Sequence, residues 1–146
     1  MSLAQCHVLV LVVASCVVVT GTAYAEEDES SLLGTWDYVS VTYDGKPFYV
    51  GNSATITITP TEWTIRRNGE VINSTWKVDS TKKPKWLTQA VRRGELKFTM
   101  NSIYRFENGR LFICECDHPD KPRPVRFSAS QGDGQFLIVL QRRADE

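Results

Sequence analysis

The sequence predicts an all-β protein, a small antiparallel up-and-down barrel of about eight strands. Apolar and polar residues alternate along many short segments, as they do in half-buried strands. Turn-forming pairs such as Asp44-Gly45, Asn68-Gly69 and Asn108-Gly109 separate these segments. No long segment has the 3.6-residue period of an amphipathic helix. The pattern fits an antiparallel sandwich or a closed barrel; hairpins between chain neighbours favour the up-and-down barrel, which has no exposed edge strand.

The first predicted strand runs over about 34–43 and begins with Gly34 and Trp36. We expect it to pair with the last strand, which covers 136–142. A glycine two residues before a tryptophan suits the bottom of a barrel, because glycine lets another segment cross closely and the indole fills the end of the core. These two residues are therefore predicted to close the barrel.

The strands that follow supply the candidates for an apolar interior. Residues 54–59 alternate cleanly, with threonines on one face and apolar side chains on the other. The predicted inward-facing residues that could line a ligand pocket are Ile56, Ile58, Trp63, Ile65, Trp76 and Cys114. The alternative is that these side chains only fill the core, since small barrels are often packed solid.

The N-terminal residues 1–25 are typical of a signal peptide. They carry an apolar run without charged residues and end in the cleavage pattern Ala23-Tyr24-Ala25. An acidic tether over 26–32 and a barrel domain over 33–143 follow. The protein is therefore expected to be exported to a periplasm, a cell envelope or the extracellular space, with no stable membrane span after cleavage. A lipoprotein processed at Cys16 is an alternative.

Charge and motifs exclude several classes of function. The chain has 17 basic and 17 acidic residues, all of them after residue 25, and no concentrated basic face that would indicate nucleic-acid binding. Only one histidine, His118, follows residue 25, and no nucleophile elbow or phosphate loop occurs. We therefore expect a non-enzymatic protein without a cofactor.

One cluster offers an exception to this expectation. Cys114, Cys116 and His118 lie close together in the sequence and could hold zinc or form a reactive thiol site. The spacing does not match common zinc motifs, which use gaps of two to four residues and a second ligand pair. The two thiols are also poorly placed for a mutual disulfide, so two buried thiols are the default interpretation.

The order of several short motifs suggests a family. They are Leu33-Gly34-Thr35-Trp36, Asp44-Gly45, Lys83-Pro84-Lys85, Ile103-Tyr104-Arg105-Phe106, Leu111 to Cys114, Lys121-Pro122-Arg123-Pro124 with Phe127, and Leu140-Gln141-Arg142. Over about 32–143 the chain resembles the secreted lipocalin-like domain family of unknown function that is multiplied in planctomycete genomes.

This resemblance implies a signal peptide, a small lipocalin-like barrel and no known activity. It further implies that Arg142 packs over the Trp36 indole at the barrel bottom, a cation–π contact worth ~0.5–2 kcal/mol. The sequence departs from the family at Ser102, at 86–88 and at Cys116. These departures bear on any ligand that members of the family share.

Three hypotheses of function follow from the sequence. The first is an exported barrel that binds a small apolar ligand. The second is a filled-core envelope or protein-interaction module that uses loops 81–86 and 117–124, with a protein partner that the sequence does not identify. The third is a metal- or thiol-dependent site at Cys114, Cys116 and His118.

Overall fold

A computed structural model describes residues 28–144, so the expected signal peptide over 1–25 lies outside the described residues. The described chain is almost entirely β-structure. Its strands are β1 (Gly34–Tyr43), β2 (Lys46–Pro47), β3 (Thr55–Ile58), β4 (Trp63–Arg67), β5 (Glu70–Asp79), β6 (Lys85–Arg93), β7 (Leu96–Glu107), β8 (Arg110–Cys116) and β9 (Gln135–Arg142).

The strands form one antiparallel sheet that closes on itself. Each strand from β3 to β9 pairs with its neighbours in chain order, and β1 pairs with both β3 and β9. The two-residue β2 pairs only with the end of β1, so the closed barrel has eight strands. The predicted up-and-down barrel and the pairing of its first strand with its last are confirmed.

Two asparagine–glycine turns set the register of the hairpins. Asn68 and Gly69 have φ angles of 48° and 77°, and Asn108 and Gly109 have φ angles of 52° and 75°. Positive φ at both central residues is what a two-residue hairpin turn requires. Within each hairpin, side chains therefore alternate between the interior and the outside without ambiguity.

The barrel bottom is closed around Trp36, as the sequence predicts. The indole is 1% exposed, and its Nε1 donates a hydrogen bond to the Leu32 carbonyl at 2.9 Å. The Arg142 guanidinium lies 4.4 Å from the indole ring centroid and donates to the carbonyls of Leu33 and Ser31. Gly34 has φ +124°, and a Cβ atom there would lie 2.5 Å from Arg142 Nη1. Only glycine lets the guanidinium cross at this point.

The expected acidic tether over 26–32 is wrong for its described part. Residues 28–32 form a helical turn, whereas the sequence predicts a tether rather than a folded element. This turn places Leu32 in the core with 0% exposure, and Asp28 forms an ion pair with Lys85 at 2.7 Å. The apolar Leu32 explains the difference, because it buries its side chain against the barrel bottom in spite of its acidic neighbours.

The long connection between β8 and β9, residues 117–134, packs along the outside of the barrel; we call it the strap. Its backbone is tied to the first hairpin turn, since Gly45 N–H donates to Ala129 O at 2.6 Å and Gly132 N–H donates to the Asp44 carboxylate at 2.7 Å. Ile103 points outward from β7 yet has 0% exposure. The strap therefore creates a second buried layer on the outer face of the sheet.

Candidate ligand site

The barrel interior has a filled half and an open half. Apolar side chains pack the end near the bottom; they are Leu32, Trp36, Ile58, Leu87, Tyr104, Leu111 and Leu140. The other half holds a cavity of about 330 Å³. This cavity opens at the end opposite Trp36, where Phe48, Val50 and the strand-end residues Arg67 and Arg93 line it. A barrel of eight strands has room for such a site.

Three of the six predicted pocket residues lie on the cavity wall: Ile56, Trp63 and Ile65. Ile58 faces inward but belongs to the filled half. Trp76 packs edge-on against Trp63, with ring centroids 6.3 Å apart, and its Nε1 donates to the Thr59 carbonyl at 2.9 Å. The predicted inward faces of β3, β4 and β5 are thus correct, but only half of the candidates reach open space.

The sixth candidate, Cys114, is wrong as an interior residue. The residues of β8 that face the interior are Leu111, Ile113 and Glu115. Cys114 faces outward beneath the strap, where its Sγ donates to the Ser128 carbonyl at 3.3 Å. The error has a physical cause. An outward position on a barrel is normally polar, but here the strap buries it and makes a small apolar side chain suitable.

The structure does not bring the Cys114, Cys116 and His118 side chains together as a site. Cys116 Sγ donates to the Pro122 carbonyl at 3.2 Å, whereas His118 lies at the surface beside Asp120, 3.5 Å away. Burial raises the pKa of Cys114 to about 11 and also raises the pKa of Cys116. Both cysteines are free thiols. Between residues 28 and 144, no group of three His, Cys, Asp or Glu side chains is placed to hold a metal ion.

The polar side chains that line the cavity include Glu115, Tyr38 and Arg67. None of the three forms a side-chain hydrogen bond of normal geometry or an ion pair with another described residue. By contrast, two other polar residues of the cavity satisfy each other, because Gln89 Nε2 donates to Ser74 Oγ at 3.3 Å. Glu115, Tyr38 and Arg67 are thus available to an occupant.

Glu115 is the cavity group whose pKa is brought close to neutral. Its carboxyl is shielded from bulk solvent, and this desolvation raises its pKa to about 7, against smaller lowering effects of Ser102 and Arg67. The Ser102 hydroxyl approaches the carboxyl without forming a hydrogen bond of normal geometry. Burial also raises the pKa of Tyr38, and the charge of Glu115 raises it further by a smaller amount. A carboxyl of this kind changes its charge near neutral pH.

Sequence reasoning missed these polar groups, although a signal for Glu115 was present. The two-residue Asn108-Gly109 turn places Phe106 directly opposite Leu111. Since Phe106 and Leu111 share the inward face, alternation along β8 puts Ile113 and then Glu115 inward as well. The prediction that Cys114 faces inward places Glu115 on the outer face instead, because neighbouring side chains on a strand alternate.

The loops over 81–86 and 117–124, which the sequence suggests as partner contacts, pack against the barrel. Trp86 lies on the outer face with 40% exposure, between Lys82 and Arg123, whose charged groups are 4.9 and 4.6 Å from the indole centroid. Residues 117–124 belong to the strap, and Arg123 anchors them to β6 and β7. No helix within 28–144 has the length and apolar character needed to cross a membrane.

Comparison with protein-family models, with curated proteins and with solved structures finds no match for this chain. The resemblance to the planctomycete lipocalin-like family therefore stays a prediction from the sequence. Function has to be inferred from the geometry of the cavity.

Proposed function

We propose that this protein is an exported, non-enzymatic barrel that binds a small apolar molecule in the open half of its interior. The observation that carries the proposal is the cavity itself, about 330 Å³ in volume and open at one end. Its wall is mainly apolar, with side chains from all of the long strands. Ligand sites are concave and mostly apolar, with a few placed polar groups.

Packing favours a binding site over an unused void. Apolar side chains that border empty space lose dispersion contacts on one side, so an unoccupied cavity lowers stability. The bottom half of the same barrel is closely filled, which shows that this chain supplies large side chains where they are needed. The volume is at the small end of the ~300–1,000 Å³ range of ligand sites, so a single-chain or two-ring molecule would fit.

The proposal of export rests on the sequence of residues 1–25, which lie outside the described residues. The apolar run and the Ala23-Tyr24-Ala25 pattern support it. An exported carrier of apolar molecules would meet its ligand outside the cytoplasm. The two cysteines of the described barrel are free thiols, so the barrel relies on its core for stability.

The test uses the neutral dye N-phenyl-1-naphthylamine, whose emission rises in apolar surroundings. Val91 faces the cavity and is 8% exposed, so Val91→Phe would fill part of the open space. We expect the dye to bind the unaltered protein, and Val91→Phe to weaken binding at least about tenfold, or about 1.4 kcal/mol. Fluorescence titration measures both affinities.

The matched control is Val71→Phe, because Val71 faces outward and is 46% exposed. This variant adds the same ring outside the barrel and should bind the dye as the unaltered protein does. Equal weakening in both variants, or none in either, would place the dye elsewhere on the surface. A protein that takes up no dye at all would favour the interaction module instead.

A further inference from the structure

The cavity contains polar groups that the protein itself leaves without partners. The side chains of Glu115, Tyr38 and Arg67 all face the open space, and none of them has a hydrogen-bond partner of normal geometry within the described residues. The three interact electrostatically, since the charge of Glu115 raises the pKa of Tyr38 and the charge of Arg67 lowers it. All three side chains are half-buried, and a partly desolvated polar group without a partner costs free energy. They therefore indicate an occupant with a polar head group.

Two of these three side chains supply hydrogen-bond donors. The Arg67 guanidinium has only donors, and the Tyr38 hydroxyl has a proton to donate. The buried Ser102 hydroxyl lies opposite Glu115 in the β7–β8 ladder and has no hydrogen bond of normal geometry within the described residues. Glu115 is the only carboxyl among the three groups that face the cavity without a partner. A head group that supplies acceptors would satisfy this set.

The other charged groups of the cavity are already paired at its mouth. Arg93 Nε donates to the Glu70 carboxylate at 2.6 Å. The Asp117 carboxylate accepts from Lys121 Nζ at 2.6 Å and from the Tyr43 hydroxyl at 2.7 Å. Among the described residues that line the cavity, Arg67 is then the cation available to a ligand.

We propose that the ligand is an alkyl carboxylate whose head group lies among Arg67, Tyr38 and Glu115, and that Glu115 binds a proton when the ligand enters. This inference rests on the proposed function. The alkyl chain would occupy the apolar wall around Ile65 and Ile138. The head group would accept hydrogen bonds from Arg67, from Tyr38 and from the protonated Glu115.

The direction of the pH dependence follows from the charge on Glu115. With a pKa of about 7, this carboxyl is mostly protonated at pH 6 and mostly ionised at pH 8 in the empty cavity. A carboxylate ligand brings a second negative charge close to it, which raises its pKa further. The complex therefore holds a proton that the empty protein at pH 8 lacks, and affinity falls as the pH rises through 7.

The groups around Glu115 do not reverse this direction. Its ladder neighbours, Ser102 and Phe136, do not titrate. Across the barrel, burial keeps Tyr38 neutral because it raises the pKa of the phenol. Raised pKa values also keep Cys114 and Cys116 neutral, and both thiols lie on its own strand.

Two charged groups remain near the carboxyl. Asp117 follows β8, and its hydrogen bond from Lys121 lowers its pKa, so it stays ionised across this range. Arg67 on β4 remains protonated, because a guanidinium does not titrate near neutral pH. Glu115 is then the group that changes charge between pH 6 and pH 8.

The experiment measures the binding of decanoate by calorimetry at pH 6 and at pH 8, with decan-1-ol and decylamine as chain-matched comparisons. Decanoate should bind more tightly than the alcohol at pH 6. Its affinity should be about tenfold lower at pH 8, because the protonated fraction of a group of pKa about 7 falls by that factor. The alcohol should show no such change.

Two variants assign the effect to residues. Glu115→Gln replaces the carboxyl with an amide that still forms hydrogen bonds but does not titrate. Decanoate should therefore bind this variant with the same affinity at both pH values. Arg67→Met should weaken decanoate binding at least about tenfold at both pH values, and should weaken it more than it weakens decan-1-ol binding. The matched control is Arg66→Met, because Arg66 is the exposed, outward neighbour of Arg67.

Several outcomes would overturn the inference. Decanoate that binds no better than decan-1-ol, or that keeps its pH dependence in Glu115→Gln, contradicts the assigned head-group site. Decylamine that binds most tightly, with affinity rising with pH, indicates a cation site at Glu115 instead. If the dye binds and decanoate does not, only the carboxylate inference fails; if neither binds, the proposed function fails as well.

Discussion

Replacing Trp36 with alanine is expected to lower the free energy of unfolding by about 4 kcal/mol, the usual loss for a buried tryptophan. The indole is 1% exposed and fills the barrel bottom. Its removal also deletes the hydrogen bond to Leu32 and leaves the Arg142 guanidinium without the ring beneath it. Since small domains are stable by only about 5–15 kcal/mol, the urea midpoint should fall steeply.

The matched control is Trp86→Ala, because Trp86 lies on the outer face with 40% exposure. Trp86→Ala should lower the free energy of unfolding by clearly less than Trp36→Ala does. Trp36→Phe, which keeps an aromatic ring but loses the indole N–H, should fall between the unaltered protein and Trp36→Ala and provides a measurement if alanine prevents folding. Equal losses at positions 36 and 86 would contradict the assigned role of Trp36 in closing the barrel.

The second large effect is expected at Arg123, the anchor of the strap. Its guanidinium donates to the carbonyls of Leu87 and Ser102, to Thr88 Oγ1 at 2.8 Å and to Asn101 Oδ1 at 2.9 Å. Arg123→Ala should lower the free energy of unfolding by about 3 kcal/mol, because hydrogen bonds from a charged group are strong and the two carbonyls lose a donor. Urea unfolding monitored by circular dichroism measures the loss.

Arg126→Ala is the control on the same strap, since Arg126 is exposed. Surface substitutions of this kind change stability by no more than about 0.5 kcal/mol. Hydrogen exchange adds a local measurement: Arg123→Ala should speed exchange at 117–134, whereas Arg126→Ala should not. A strap that keeps its protection and stability without Arg123 would show that other contacts hold it.

The fold could be predicted from the sequence because local signals agreed with the closed sheet. The alternation over 54–59 gave the inward face of β3, and the positive-φ pairs Asn68-Gly69 and Asn108-Gly109 marked hairpin turns. The closure by Gly34 and Trp36 was also predictable, since a glycine before a tryptophan has few other uses at the entrance of a strand.

The candidate site was less predictable because it depends on long-range packing. The sequence predicts an inward Cys114 because nothing in it reveals that the strap buries the outer face of β8. Ile58 and Trp76 face inward as expected, but their height in the barrel decides whether they meet the filled or the open half. Alternation gives the face of a residue, not the distance from the barrel bottom.

The polar side chains of the cavity were not predictable for the same reason, since their burial also depends on long-range packing. Arg67 comes directly after an exposed arginine, and Glu115 lies between two cysteines, so neither position suggests burial. The closed sheet brings them together with Tyr38 from a third strand. The proximity of residues from β1, β4 and β8 follows from the full topology of the barrel. Local sequence patterns do not contain that topology.

Isoleucine methyl NMR tests the central claim most directly, that a ligand enters the open half of the barrel and not the filled half. Ile56, Ile65, Ile72, Ile113 and Ile138 line the cavity. Two other isoleucines serve as internal controls, because Ile58 lies in the filled half and Ile103 lies outside the sheet beneath the strap. On titration with N-phenyl-1-naphthylamine, we expect the cavity methyl signals to shift and those of Ile58 and Ile103 to stay in place. Shifts confined to Ile103, or an unchanged spectrum at saturating dye, would contradict an internal ligand site.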